Sequence, residues 1–173
     1  MAKVTVIGGS GFLGSHVADE LSARGYSVTI FDQTPSPWAK PDQRMVMGDV
    51  LDRSSLADAC DGARYVYHFA GIADIGEARI NPYRTIEANV LGTTAALEAA
   101  RSSGVERFVY ASTMYVYSAA GSFYRASKQA AETIIETYGE SFDLDFTLLR
   151  YGSLYGPRAQ DWNGLHGYVR QVM

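Results

Sequence analysis

The chain has 173 residues, of which 47% are hydrophobic and 20% are charged, with a formal net charge of -4. This composition is ordinary for one globular domain with a real core, and it excludes a disordered chain. The basic residues are few and scattered, which argues against a surface that binds nucleic acid.

Cysteine content and hydropathy limit the kinds of site and the cellular compartment that we expect for the protein. Cys60 is the only cysteine, so the sequence offers no disulfide framework and no cysteine-based zinc site, and we expect no metal. No apolar run approaches the length of a membrane span, and Lys3 is followed by only four strand residues before the first glycine, unlike a secretory signal. We therefore expect a cytoplasmic protein without a membrane partner.

The first predicted strand, 3–7, runs directly into glycines with the spacing G-x-x-G-x-x-G, and a helical pattern over 11–24 follows. The first glycine permits a tight turn, the second lets the backbone approach a phosphate, and the third lets the helix pack closely on the sheet. The helix start points unpaired N–H groups and a positive dipole end at an anion. We therefore predict a pyrophosphate-binding turn. It comprises Gly8, Gly11, Phe12, Leu13 and Gly14.

The second predicted strand, 27–31, ends in Asp32, eighteen residues beyond Gly14. A carboxylate at this strand tip accepts hydrogen bonds from the ribose hydroxyls of an adenosine and repels a 2'-phosphate. No Arg or Lys follows in Gln33-Thr34-Pro35. We therefore expect NAD rather than NADP as the cofactor.

Strands and helices alternate along the rest of the chain. Further strands are predicted over 44–47, 64–69, 107–111 and 145–149, and further helices after the N-cap candidate Asp52, over 81–103, over 124–138 and from Gly164. The segment between the second and third strands holds three of the five prolines, so we expect it to be irregular. The alternation predicts a Rossmann-like α/β fold with a doubly wound parallel sheet and right-handed crossovers.

In such a sheet, ligands bind beyond the carboxyl ends of the strands, so the residues that follow each strand are candidates for binding. Asp49 can reach an adenine amino group, although an Asp in this position is equally typical of a turn. Ala70 and Gly71 are small enough to leave room for the middle of the cofactor, whereas His68 is interpreted as structural. The cofactor-binding residues assigned here are Asp49, Val50, Phe69, Ala70 and Gly71.

A Y-x-x-x-K pair opens the helix that follows the fifth predicted strand. Tyr124 and Lys128 are four residues apart, so both project from one helix face. The spacing alone is weak evidence, because the chain contains 12 tyrosines. The pair gains meaning from its position directly after the strand end that carries Ser112 and Thr113.

Taken together, these residues resemble the extended short-chain dehydrogenase/reductase family, specifically its NAD-dependent sugar epimerase/dehydratase group. The resemblance spans nearly the whole chain. It rests on Gly8, Gly11 and Gly14, Asp32, Asp49-Val50, His68-Phe69-Ala70-Gly71, Asn89-Val90-Leu91-Gly92-Thr93, Ser112-Thr113 with Val116-Tyr117, Tyr124 with Lys128, and Leu149-Arg150-Tyr151 leading to Tyr155-Gly156-Pro157-Arg158.

The resemblance implies a tightly held NAD and a nucleotide-sugar substrate. It implies Tyr124 as the acid/base, Lys128 as its partner and ribose contact, and Thr113 as the contact to the substrate hydroxyl. It also implies cofactor contacts near Tyr124 and Lys128 from Asn89, Ser112 and Tyr151, with Asn89 interpreted as a structural hydrogen-bonding residue rather than a catalyst.

The acid/base role requires a large change in the pKa of Tyr124, and simple electrostatics gives the size of that change. A free tyrosine has a pKa of ~10, so acting as a base at neutral pH needs a pKa lowered by about 3 units, or roughly 4 kcal/mol. One ammonium at about 6 Å and an effective dielectric of about 20 supplies roughly 3 kcal/mol. The positive ring of oxidised NAD is the natural second cation, so we expect Tyr124 to become a base only when the cofactor is bound.

The resemblance also implies a homodimer. In the family, the helix predicted over 81–103 pairs with the Tyr124 helix across a two-fold axis. Tyr83, Ile86, Val90 and Leu97 are predicted to form the face that it presents.

Two features depart from the family pattern. Thr113 and Tyr124 stand only eleven residues apart, closer than is usual, so either the substrate pocket is clipped or residues are absent. The chain also stops at Met173, within the helix that starts at Gly164, whereas family members continue into a substrate-binding domain. We therefore interpret 1–173 as an NAD-binding Rossmann domain that carries the catalytic residues, with the substrate domain largely absent.

The leading functional interpretation is an NAD-dependent epimerase that acts on a nucleotide-sugar. Dehydratases of the family place acidic residues directly after the catalytic threonine, whereas Met114 and Tyr115 stand here, which disfavours dehydration. The alternatives are a reductase or dehydrogenase of another carbonyl substrate, and a dinucleotide-binding protein without turnover.

Overall fold

Six parallel strands form one sheet in the computed structural model, which describes residues 1–160 and 164–172. The strand order is β3-β2-β1-β4-β5-β6, which starts at the middle and winds outward in both directions. The strands are β1 Lys3–Ile7, β2 Ser27–Asp32, β3 Arg44–Met47, β4 Tyr65–His68, β5 Arg107–Thr113 and β6 Asp145–Tyr151. The predicted Rossmann-like, doubly wound parallel sheet is confirmed.

Helices cover both faces of this sheet. They are α1 Phe12–Ala23, α2 Arg53–Cys60, α3 Ile75–Ile80, α4 Pro82–Ile86, a π turn Glu87–Leu91, α5 Gly92–Ser102, a 3-10 turn Met114–Tyr117, α6 Ser122–Phe142 and α7 Gly164–Val172. The proline-rich segment 33–43 contains no helix or strand, as predicted. Met173 lies outside the described residues.

The helix predicted over 81–103 is broken into α4, the π turn and α5, and α3 was not predicted. The Asp74 side chain caps α3 by accepting a hydrogen bond from the backbone N–H of Glu77. Asp followed three residues later by Glu is a helix-start signal in the sequence. This signal could have located α3.

Hydrophobic cores lie on both sides of the sheet, which is why its strands are rich in Val, Ile and Phe rather than alternating with polar residues. One core packs α1 against the sheet through Val4, Val6, Ala18, Leu21, Val28 and Ile30. The larger core lies under α2, α5 and α6 and includes Phe31, Leu56, Phe108 and Ile135. Cys60 belongs to this larger core, where it packs as a small hydrophobic side chain, and burial raises the pKa of its thiol to about 12.

The prediction that one helix face presents Tyr83, Ile86, Val90 and Leu97 was wrong for Leu97. Tyr83 and Ile86 are exposed on α4, but Leu97 is fully buried in the larger core. A π turn has more residues per turn than an α-helix, so it rotates α5 relative to α4. Positions that share one face of a continuous α-helix therefore separate here.

Candidate active site

A cavity of about 350 Å³ opens at the carboxyl ends of the parallel strands. The order β2-β1-β4 places the turn after β1 between the strand ends of β2 and β4. The cavity is therefore lined by segments that are distant in sequence. Seven of the predicted cofactor residues line it, namely Gly8, Gly11, Asp32, Val50, Phe69, Ala70 and Gly71.

The glycine turn is packed so closely that a side chain would not fit at two of its three motif glycines, Gly8 and Gly14. Gly8 has a φ of +82°, and a Cβ there would lie 2.4 Å from the backbone nitrogen of Ala70. A Cβ on Gly14 would lie 2.2 Å from the carbonyl oxygen of Gly8. A Cβ on Gly11 would meet only the Gly8 oxygen, at 3.4 Å, so the protein itself hardly restricts that position. The close approach of a ligand would account for glycine at position 11.

The start of α1 suits an anion. Gly11 is its N-cap residue, and no side chain caps the first turn. The first N–H groups of the helix are therefore left for a ligand, together with the positive end of the helix dipole. Phe12 and Leu13 lie in this first turn, so they would contact an anion through their backbone N–H groups rather than through their side chains. A pyrophosphate fits the donors and the bare backbone present here.

The two predicted carboxylates differ in their surroundings. Asp32 lies on the cavity wall, where Oδ2 accepts from the backbone nitrogen of Ser10 at 3.0 Å and Oδ1 accepts from that of Thr34 at 3.2 Å. Asp49 accepts from the backbone nitrogen of Leu51 at 2.9 Å and from Nε2 of Gln33 at 2.8 Å. Asp49 thus acts as a turn-forming residue, and a further contact to adenine stays a prediction.

Asn89 is held by the protein on three sides. Its Oδ1 accepts from the backbone nitrogen of Ile72 at 2.7 Å, and its Nδ2 donates to the Ile72 oxygen and to Oγ of Ser127, both at 2.9 Å. The side chain therefore ties the cavity-lining loop after β4 to α6. This arrangement agrees with the structural interpretation of Asn89.

The structure brings Thr113, Tyr124 and Lys128 together. Thr113 ends β5, while Tyr124 and Lys128 lie one turn apart on α6. Nζ of Lys128 lies 6.0 Å from the centre of the Tyr124 ring and donates to the carbonyl oxygen of Ala111 at 2.8 Å. The short spacing from Thr113 to Tyr124 is bridged by the 3-10 turn and by Gly121, which has a φ of +102°.

Burial dominates the electrostatics of this trio. It raises the pKa of Tyr124, and a hydrogen bond with the Thr113 hydroxyl partly offsets the change. Burial also lowers the pKa of Lys128 to about 8, against the opposing effect of Glu132. Tyr124 is therefore protonated at neutral pH in this form of the protein. The dependence of its basicity on a second cation stays a prediction.

The other two predicted cofactor residues at this edge lie beside the trio. Ser112 is buried, and its hydroxyl donates to the Glu132 carboxylate. Tyr151 ends β6 in register with Thr113 and is half-buried. Neither residue lines the cavity near the glycine turn.

Several residues that line the cavity were not predicted from the sequence. They include Gln33, Gly48, Ile72, Glu77, Arg84 and Ala88. Arg84 is the only cationic side chain among the lining residues described, and it belongs to the short helix α4. The unpredicted break between α4 and α5 explains why its direction toward the cavity could not be read from the sequence.

Metal-binding clusters and membrane-spanning helices are both absent from the described ranges, 1–160 and 164–172. No group of three or more His, Cys, Asp or Glu side chains there could hold a metal ion. None of the helices in those ranges is long and apolar enough to cross a membrane.

Known proteins share this architecture. The sequence profile of the NAD dependent epimerase/dehydratase family matches residues 4–172. The chain is 29% identical over 182 residues to UDP-glucose 4-epimerase of Rhizobium meliloti (strain 1021), with 93% of this chain and 56% of that protein covered. It is 37% identical over 115 residues to 3-beta-hydroxysteroid dehydrogenase of Mycolicibacterium neoaurum, with 64% of this chain and 31% of that protein covered.

A solved structure of a related protein has the same fold as this chain. UDP-glucose 4-epimerase of Thermus thermophilus, in complex with NAD, superposes with a TM-score of 0.87 at 30% identity, covering 97% of this chain and 60% of that one. The chain thus spans little more than half the length of the epimerases that it matches.

Proposed function

The chain belongs to the NAD-dependent epimerase/dehydratase family, and we propose that it forms the cofactor-binding and catalytic part of an NAD-dependent epimerase that acts on a nucleotide-sugar. The observation that carries the proposal is the position of Tyr124, Lys128 and Thr113 at the same sheet edge as the cavity of the glycine turn. The similarity to two UDP-glucose 4-epimerases supports the choice of substrate class.

The residues that would hold NAD follow from the cavity. The N–H groups at the start of α1 would bind the pyrophosphate, and Asp32 would bind the adenosine ribose. Val50 and Phe69 would enclose the adenine, while Lys128 would hold the nicotinamide ribose. When bound, NAD supplies a reversible acceptor for hydride.

The chain's own residues would then transfer the proton of the substrate hydroxyl. Tyr124 takes the proton of the substrate hydroxyl on its phenolic oxygen and later returns it. Thr113 holds that hydroxyl in place, and Lys128 stabilises the negative charge that develops on Tyr124. The chemistry that NAD would supply, reversible acceptance of hydride, would allow inversion at that carbon without net oxidation of the sugar.

The decisive experiment compares the protein with its Tyr124→Phe variant on a panel of sugar nucleotides that includes UDP-glucose. We expect the unmodified protein to interconvert a pair of epimers and the variant to lose at least about a hundredfold in rate, because general acid–base catalysis contributes that much. Equal rates in the two proteins would remove the catalytic proposal and leave a dinucleotide-binding protein without turnover.

A dehydrogenase of another alcohol is the second candidate. The residues directly after Thr113 are Met114 and Tyr115, which are neutral, largely apolar and exposed at the rim of the site. The similarity to a hydroxysteroid dehydrogenase agrees with such a rim. Net accumulation of NADH with an apolar alcohol, and none with sugar nucleotides, would favour this candidate.

Self-association is also part of the proposal. The exposed apolar side chains of Ile80, Tyr83 and Leu91 follow one another along the α3–π-turn region. They support a homodimer through this surface, as the family resemblance implies.

A further inference from the structure

Glu132 lies one helical turn beyond Lys128 on α6 and is only 7% exposed. Its carboxylate accepts hydrogen bonds from Nε of Arg150 at 3.0 Å and from a terminal nitrogen of Arg150 at 2.8 Å. The hydroxyl of Ser112 donates to the same carboxylate. A two-pronged bond between guanidinium and carboxylate fixes orientation as well as distance.

The group formed by Glu132, Arg150 and Ser112 joins three elements that carry the proposed chemistry. Ser112 directly precedes Thr113 on β5, and Arg150 directly precedes Tyr151 on β6. Arg150 also donates to the hydroxyl of Tyr117, in the 3-10 turn at the site rim. The proposed mechanism uses none of these polar contacts. The clustering of these hydrogen bonds one helical turn from Lys128 therefore requires a separate explanation.

The groups around Lys128 come from several elements. Tyr110 on β5 lies 4.5 Å below its ammonium, measured to the ring centre, and Tyr124 lies 6.0 Å away by the same measure. His68 on β4 is neutral, because burial lowers its pKa to about 3. Glu132 on α6 is the carboxylate that favours the charged form of Lys128. Lys128 donates to the carbonyl oxygen of Ala111, and the hydroxyl of the next residue, Ser112, donates to Glu132. Arg150 on β6 pairs with the same Glu132 carboxylate.

We propose that Glu132 is a positioning residue that keeps Lys128 charged, and that Arg150 sets how strongly it does so. The inference rests on the proposed role of Lys128 beside Tyr124. Burial favours a neutral amine, and a neutral Lys128 could not stabilise negative charge on Tyr124. The Glu132 carboxylate opposes this effect of burial, while the Arg150 guanidinium offsets part of the negative charge.

Two single substitutions separate this role from mere support of the fold. E132Q and R150Q each break the same ion pair, so a structural role predicts the same direction of change in both. An electrostatic role predicts opposite directions. Loss of the carboxylate lowers the pKa of Lys128, whereas loss of the guanidinium leaves the carboxylate uncompensated and raises it.

Carbon NMR of protein labelled at the lysine ε-carbon measures this directly. The chain contains only three lysines, and Lys128→Met assigns the signal. We expect the midpoint of the Lys128 titration to fall in E132Q and to rise in R150Q, each by on the order of one pH unit. E136Q, an exposed glutamate one turn further along α6, serves as the matched control and should leave the midpoint unchanged.

The activity profile provides the second readout. The pH at which kcat declines on the alkaline side should move with the Lys128 midpoint, down in E132Q and up in R150Q. Shifts in the same direction, or none in either variant, would overturn the inference. Arg150 is partly exposed, so if E132Q does not fold, the upward shift in R150Q alone decides. A protein without epimerase activity but with opposite Lys128 shifts would contradict the proposed function and leave the electrostatic role of Glu132 standing.

Discussion

His68 shows what burial does to an ionisable side chain near the candidate catalytic residue Lys128. It is fully buried, its Nε2 lies 3.1 Å from Oγ1 of Thr93, and its ring contacts those of Phe108 and Tyr110. Burial, aided by the charge of Lys128, lowers its pKa to about 3. A histidine that stays neutral throughout the physiological range cannot act as a general acid, which supports its interpretation as structural.

This burial predicts an acid-sensitive fold. The folded pKa of about 3 lies below the unfolded value of 6.5, so the unfolded state binds more protons between these two pH values. His68 should therefore lower the free energy of unfolding by up to about 5 kcal/mol as the pH falls from 6.5 toward 3.

Urea unfolding of the protein and of His68→Gln at several pH values checks this expectation. The variant should show a flatter dependence on pH over that window, whatever its stability at pH 7. His16→Gln, at a histidine that is not buried, is the matched control and should keep the slope of the unmodified protein. Parallel curves for all three proteins would show that His68 does not drive acid unfolding.

At the scale of elements, the π turn Glu87–Leu91 positions Asn89. Short π segments inside helices occur often at functional sites, because the extra residue redirects the side chains that follow. Here the redirected Asn89 bonds both backbone groups of Ile72, which lines the cavity, and Ser127 on α6. The cavity wall and the helix of Tyr124 are thereby linked through one side chain.

Removing this link should weaken both the fold and the site. Asn89→Ala leaves buried hydrogen-bonding groups without partners, so we expect the free energy of unfolding to fall by about 2 kcal/mol. The freed loop should raise the Kd for NAD by roughly tenfold, equivalent to about 1.4 kcal/mol of ordering.

Denaturant unfolding and calorimetric titration with NAD measure the two effects. Asn81→Ala is the matched control, because Asn81 is exposed and its hydrogen bonds among the described residues come from its backbone. Unchanged NAD affinity in Asn89→Ala would restrict Asn89 to a role in stability.

The strands were predictable from sequence and the π turn was not, for a physical reason. Strand residues such as Val4, Val6 and Ile30 are apolar because the sheet is buried on both faces, and this shows in the sequence itself. The residues 81–103 fit one helix equally well by periodicity. Only the contacts of Asn89 with Ile72 and Ser127, from distant segments, select the extra residue per turn.

For the whole molecule, the sheet order assembles the site from local signals. The glycine spacing, Asp32 and the Tyr124–Lys128 pair were each recognisable in the sequence, and parallel strands bring their carboxyl ends to one edge. The sequence could not reveal Arg84 on the cavity wall or the bond between Glu132 and Arg150. Both depend on helix rotation and on the register of β5 with β6.

The central claim is that Tyr124 lies beside the reactive end of a bound nicotinamide and removes a proton there. The most direct test mixes NAD-loaded protein with UDP-glucose in a single turnover and follows the absorbance of the reduced nicotinamide. We expect transient reduction in the unmodified protein and none in Tyr124→Phe, although both bind NAD with similar affinity. Equal reduction in the two proteins, or none in either across the panel of sugar nucleotides, would contradict the account.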